Sequence, residues 1–137
     1  MISFEIPGKC VAKERPRKNY KGNWYTPKAT KDYEQEVRWW AKIAMKGRKP
    51  LTGEVKVKIG INEPIPPSWS EGKKAKALAG LINYAKSDLD NKIKNLLDGM
   101  NGIVYLDDSQ VSIIEAQRQY GLKACALVSV LPVNDIK

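Results

Sequence analysis

Four aspartates form two short groups in a chain that is otherwise strongly basic: Asp88 and Asp90, two residues apart, and the adjacent Asp107 and Asp108. The chain carries 24 Lys+Arg against 15 Asp+Glu, a net charge of +9. Like charges repel at short range, so clustered carboxylates call for a cation between them, and hard divalent ions take oxygen ligands. Cations to grip phosphates and carboxylates to hold Mg²⁺ are what a metal-dependent nuclease needs. Lys94 lies four residues beyond Asp90, one helical turn along the same edge. The sequence contains no histidine. Ser-His-Asp and Cys-His catalysis, His-ligated zinc and histidine bases are therefore excluded, which leaves carboxylates, lysines, tyrosines or a metal-activated water.

Turn chemistry offers each acidic motif a plainer reading, with Asp90 as a helix N-cap, Asn91 as a helix-start residue and Asp107-Asp108 as a polar turn. Taken together the motifs favour a site, because five of the fifteen acids fall between Asp88 and Asp108, beside an aligned lysine. Residues i and i+2 of an extended segment point to one side, so Asp88 and Asp90 can face one ion. Adjacent residues of an extended chain point apart, so only one of Asp107 and Asp108 is expected to join them. Lys92 points elsewhere on the helix. Glu54 and Lys56 match half of a restriction-type nuclease motif, but Asp32, the nearest upstream aspartate, falls in a helix. The pair reads better as the solvent face of a strand.

The surrounding elements follow from periodicity. Ile2, Phe4 and Ile6 alternate, and so do Val55, Val57, Ile59 and Ile61; both sets predict strands. Tyr33, Val37, Trp40, Ala41 and Ala44 share a helical face, with Thr30 as its cap and Gly47 and Pro50 as its stop. Ser68 to Glu71 reads as a capping box for a Lys/Ala-rich helix running to about Gly80. Ile93, Leu96, Leu97 and Met100 predict a helix that begins just after Asp90 and ends near Asn101-Gly102. Two apolar runs, 111–120 and 122–131, flank Gly121 and predict a terminal β-hairpin. The whole, residues 1–137, reads as one compact α+β domain, a mostly antiparallel or mixed sheet with helices packed on one face.

Residues 13–28 show no period and read as a basic, aromatic arm or loop. Lys13, Arg15, Arg17, Lys18 and Lys21 can neutralise phosphates there, while Tyr20, Trp24 and Tyr25 can stack on unpaired bases. Trp39 and Trp40 lie on the first helix, where core packing is the default for at least one of them. Cys10 and Cys125 lack metal-ligand spacing and read as buried free thiols in a reducing cytosol. The N-terminus lacks the blocks of a signal peptide and no apolar run reaches membrane-span length, so a cytoplasmic protein is expected.

Asp88-Leu89-Asp90-Asn91, Lys94 and Leu106-Asp107-Asp108, followed by Gln110-Val111, resemble the RusA family of Holliday-junction resolvases, found widely in bacteriophages and prophages. Arg15-Pro16-Arg17, Tyr25-Thr26-Pro27, the segment Pro64 to Trp69 and Asn101 to Val104 extend the similarity over most of the chain. The resemblance implies Asp88, Asp90 and Asp108 as metal ligands, with Asp107 a further candidate, Lys94 as the catalytic lysine and Asn91 as an orienting residue. It also implies Mg²⁺ or Mn²⁺, a homodimer with two acidic sites, and paired symmetric nicks in a four-way junction during DNA recombination and repair. Some members carry an arginine run before the acidic motif; this chain has only Lys86 with Ser87, which leaves Lys86 as the local phosphate contact. Two alternatives stay open: a nuclease for flaps or other branched DNA, and a non-catalytic basic DNA-binding protein.

Overall fold

The structure is a computed structural model that describes residues 1–83 and 88–135. Lys86 and Ser87 lie outside the described residues. The elements are β1 (Ile2–Pro7), β2 (Arg17–Lys18), β3 (Trp24–Tyr25), α1 (Lys28–Met45), β4 (Val55–Pro64), α2 (Glu71–Leu78), α3 (Leu89–Met100), β5 (Val111–Gly121) and β6 (Cys125–Pro132). Together they make one α+β domain, with a mixed four-stranded sheet in the order β1-β6-β4-β5 and a small β2-β3 ribbon. Among the described residues no helix is long and apolar enough to cross a membrane.

The sheet places its alternating apolar residues on one face. Val55, Val57, Ile59 and Ile61 of β4, Val128 and Val130 of β6, and Ile2 and Ile6 of β1 are all buried. Tyr33, Val37 and Ala41 of α1 and Leu96, Leu97 and Met100 of α3 close over them in one core. The other face is open and carries Lys58, Gly60, Leu127 and Ser129.

The expected terminal hairpin does not form. β5 runs parallel to β4 and β6 runs antiparallel to it, so β4 stands between them. The short link from Gly121 to Cys125 passes around the end of β4, where Pro64 pairs with Gly121 and Asn62 with Cys125. The physical reason is the burial of β4: a central strand needs backbone partners on both edges, and the apolar pattern of two later strands does not say whether they pair with each other or with it.

Two helix starts also differ from expectation. α1 begins at Lys28 with Pro27 at its N-cap, and Thr30 lies inside it. The Thr30 hydroxyl accepts from the Glu14 N–H at 3.1 Å and donates to the Ala12 carbonyl at 3.5 Å, so it ties down the arm's root instead of capping. α2 is capped by Ser70, whose side chain accepts from the Lys73 N–H, in place of Ser68. The end of α1 matches expectation, with Lys46 in the left-handed region and Gly47 following at φ +77°.

α1 and α3 meet closely at Gly99. A Cβ there would stand 2.6 Å from Val37 Cβ and 3.2 Å from the Glu34 carbonyl oxygen. Alanine is the better helix former by about 0.5–1 kcal/mol, but forced overpacking costs about 1–3 kcal/mol. Gly99→Ala is therefore expected to lower the urea midpoint, with an unchanged slope on denaturant. A midpoint at or above the wild-type value would mean that the helices separate at little cost.

Candidate functional site

α3 starts two residues earlier than expected, at Leu89, with Asp88 in the N-cap position. Asp90 therefore lies in the first helical turn and not on extended chain. The Asp88 side chain makes no capping bond. It accepts instead from Asn91 Nδ2 at 3.2 Å, while the Asn91 backbone N–H donates to Asp90 Oδ1 at 2.9 Å. Asn91 thus contacts both carboxylates, which suits the orienting role expected of it. Both aspartates are exposed, and no ion pair among the described residues uses either.

Lys94 is one turn further along α3, and its ammonium sits 3.2 Å from Asp108 Oδ2 and 3.3 Å from Asp98 Oδ1. The hydrogen bond to Asp108 raises the Lys94 pKa above its ordinary value, so the side chain stays cationic at neutral pH.

Asp107 and Asp108 are separated by local structure. A single 3₁₀ turn spans Asp108–Gln110, and Asp107 caps it by accepting from the Ser109 N–H. Hydrogen bonding from the Ser109 side chain, and next from its N–H, holds the exposed Asp107 carboxyl below its usual range. The Asp108 side chain turns toward Lys94. Gln110 fixes the turn: its Oε1 accepts from the N–H groups of Leu106 and Asp107, and its Nε2 donates to the carbonyls of Leu51 and Gly53.

The arm's root lies against the acidic motif. The Lys13 N–H donates to the Asn91 carbonyl at 2.9 Å. An open cleft of about 470 Å³ is lined by Ala12, Lys13, Glu14, Arg15, Pro16 and Arg17 on one side and by Asp88 and Asn91 on the other. Beyond the root, β2 pairs with β3, and the Asn19 side chain holds the connecting turn by accepting from the N–H groups of Lys21 and Asn23. Tyr20, Trp24 and Tyr25 are 93%, 68% and 46% exposed, so the arm's aromatics face solvent and not the core. Lys18 and Lys21 lie over Trp24 and Tyr20 at 5.5 and 5.7 Å.

A larger cleft, about 650 Å³, lies on the open sheet face among Lys58, Gly60, Glu115, Gln117 and Leu127. Its one carboxylate, Glu115, is already paired with Lys56 at 2.7 Å and Lys58 at 3.9 Å. It offers no chemistry comparable to that of the acidic cleft, and Lys56 is thereby placed outside the site. Cys10 and Cys125 are free and buried, and burial raises both thiol pKa values. They are not poised as nucleophiles.

The donor chemistry around Asp88 and Asp90 fits a hard divalent cation: exposed carboxylate oxygens to which no cation among the described residues is attached. Among the described residues no three acidic or thiol side chains converge on one point. Asp108 meets Lys94, one turn along α3 from Asp90.

Two features escape the sequence reading. Asp98 bonds both Lys94 and Lys13, and its i+4 spacing from Lys94 was a signal for the first contact. Lys92, 1% exposed, pairs with Glu63, 4% exposed, at 2.6 Å inside the core. Here too the signal was present, because Glu63 continues the odd-numbered inward row of β4 and Lys92 precedes Leu96 by one turn.

The family described as Endodeoxyribonuclease RusA matches residues 7–130. The uncharacterized protein YqaN of Bacillus subtilis (strain 168) is 35% identical over 127 residues, covering 87% of this chain and 87% of that protein.

Proposed function

As this chain belongs to the RusA endodeoxyribonuclease family, we propose that it resolves four-way DNA junctions by paired, symmetric, metal-dependent nicks. The observation that carries this reading is the shared cleft: the cationic arm root and the acidic motif, 75 residues apart between Lys13 and Asp88, line one opening. That the arm's cations share this opening with Asp88 supports a site that joins phosphate grip to metal-type chemistry, as backbone hydrolysis requires.

Asp88, Asp90 and Asp108 would hold Mg²⁺ or Mn²⁺, with Asp107 kept as a turn cap. Such an ion, when bound, polarises a phosphate oxygen and makes water a nucleophile at neutral pH. Asn91 holds Asp88 and Asp90 in orientation. Lys94 presents its ammonium to the charge that develops on phosphate or leaving oxygen. Lys13, Arg15, Arg17, Lys18 and Lys21 neutralise flanking phosphates, and Tyr20, Trp24 and Tyr25 supply stacking faces for bases unpaired at the crossover. A four-way junction presents two equivalent strands, so a two-fold homodimer would set one site at each.

Lys94→Ala removes a preorganised donor. It is expected to reduce cleavage about 10²–10³-fold while leaving junction affinity within about twofold, since a single phosphate contact is a small part of the total. Unchanged turnover would remove Lys94 from the mechanism. The whole reading is tested by cleavage of a synthetic four-way junction, a flap and a linear duplex, each with Mg²⁺ and with EDTA. Symmetric nicks in the junction that vanish with EDTA are expected. Preference for the flap would replace the substrate, equal cutting of linear duplex would sink junction specificity, and binding without cutting would leave a DNA-binding protein only.

A further inference from the structure

Asp98 stands where its own helix disfavours a negative charge. It is two residues from the end of α3, whose last turn holds no basic residue, and a carboxylate there opposes the partial negative charge of the helix C-terminus. It also follows Lys94 by four residues, and an acid on the C-terminal side of its lysine is the weaker order for a helical pair. Helix stability alone therefore gives little reason for an aspartate at this position.

Its contacts are specific nonetheless. The side chain is only 11% exposed, with Oδ2 2.5 Å from Lys13 Nζ and Oδ1 3.3 Å from Lys94 Nζ. Lys94 reaches onward to Asp108 at 3.2 Å. The result is an alternating chain, Lys13–Asp98–Lys94–Asp108, that joins the arm's root to the turn bearing Asp108. A lysine side chain is a flexible stem whose charge is not confined by one exposed partner. Between two carboxylates from different elements, the Lys94 ammonium is confined to one place.

We propose that Asp98 is the positioning residue of this site, fixing the Lys94 ammonium beside Asp108 and coupling that placement to the arm through Lys13. The proposal rests on the nuclease reading for its effect on cleavage but not for its effect on Lys94 itself. It assigns a function to an acid that lies outside both acidic motifs.

The test compares the full chain with Asp98→Asn, Asp98→Glu, Lys94→Ala and the Asp98→Asn/Lys94→Ala double variant on a four-way junction with Mg²⁺. Asp98→Asn keeps the shape and loses the charge, and is expected to lower kcat about tenfold with KM unchanged. It should add nothing in the Lys94→Ala background, because both changes act through one ammonium. Asp98→Glu, which moves the charge out by one methylene, should fall between. In metal-free, DNA-free protein, carbon relaxation at Lys94 Cε should report a more mobile side chain in Asp98→Asn than in wild type. Wild-type kcat together with wild-type Lys94 mobility overturns the proposal, as does a double variant whose loss is the product of the single losses. If melting curves show Asp98→Asn unfolded, Asp98→Glu carries the same comparison, and wild-type kcat there overturns the proposal equally. A wild-type chain that leaves the junction uncut defeats the nuclease reading instead, and Lys94 relaxation still decides the role of Asp98.

Discussion

Replacing Asp88 or Asp90 by asparagine is expected to reduce junction cleavage at least about 10³-fold while leaving the fold and DNA binding in place. Structure and chemistry are separable at these two positions. Asp88 occupies the N-cap without making a capping bond, and asparagine is about as good an N-cap as aspartate. Asp90 contributes its charge to the first turn of α3 and one oxygen to the Asn91 N–H. Asparagine keeps the oxygen, and loss of the charge at a helix N-terminus costs about 0.3–1 kcal/mol. Against that small loss stands the proposed metal, whose stabilisation of the reaction would be worth several kcal/mol, and each 1.36 kcal/mol or so is tenfold in rate. Junction affinity measured without metal should hold or rise, since a negative charge beside phosphates has been removed. The measurement is cleavage rate and gel-shift affinity on the same preparation, with a melting curve for each variant. Cleavage within tenfold of wild type in both variants would return the acidic motif to a purely structural role.

These separable and inseparable parts explain what could be read before the structure. The acidic motifs were legible because their meaning is local: aspartates two apart before an apolar helical period, and two more before a strand. The arm was legible for a similar reason, since cations and aromatics without a period have no core to enter. That arm and acids line one cleft was not legible, because it depends on the Lys13 N–H meeting the Asn91 carbonyl across most of the chain. The choice between Asp107 and Asp108 was open for another reason. Alternation assumes extended chain, and the 3₁₀ turn held by Gln110 replaces alternation with a cap for one acid and a lysine contact for the other. Strand order failed on the same ground as the cleft. Burial patterns show which face of a strand is covered, not which strand lies beside it, and β4 takes both neighbours.

Lys92→Met is expected to cost about 3–5 kcal/mol of folding stability, the largest loss foreseen for any single exchange on α3. Lys92 and Glu63 are 1% and 4% exposed, and their contact at 2.6 Å joins α3 to the inner end of β4. Methionine fills most of the lysine's volume, so packing changes little and the penalty isolates the charge left behind on Glu63. An exposed pair would contribute only about 0–1 kcal/mol, which makes the size of the loss diagnostic of burial. Removing both charges should reverse it: a Lys92→Met/Glu63→Leu variant is expected near wild-type stability, because an apolar pair of similar volume often replaces a buried ion pair at no cost. The two single losses would then fail to add, as they must for groups in direct contact. Urea midpoints at constant slope provide the measurement. A loss in Lys92→Met below about 1 kcal/mol would mean that water reaches Glu63, so that this pair does not seat the helix carrying Asp90 and Lys94.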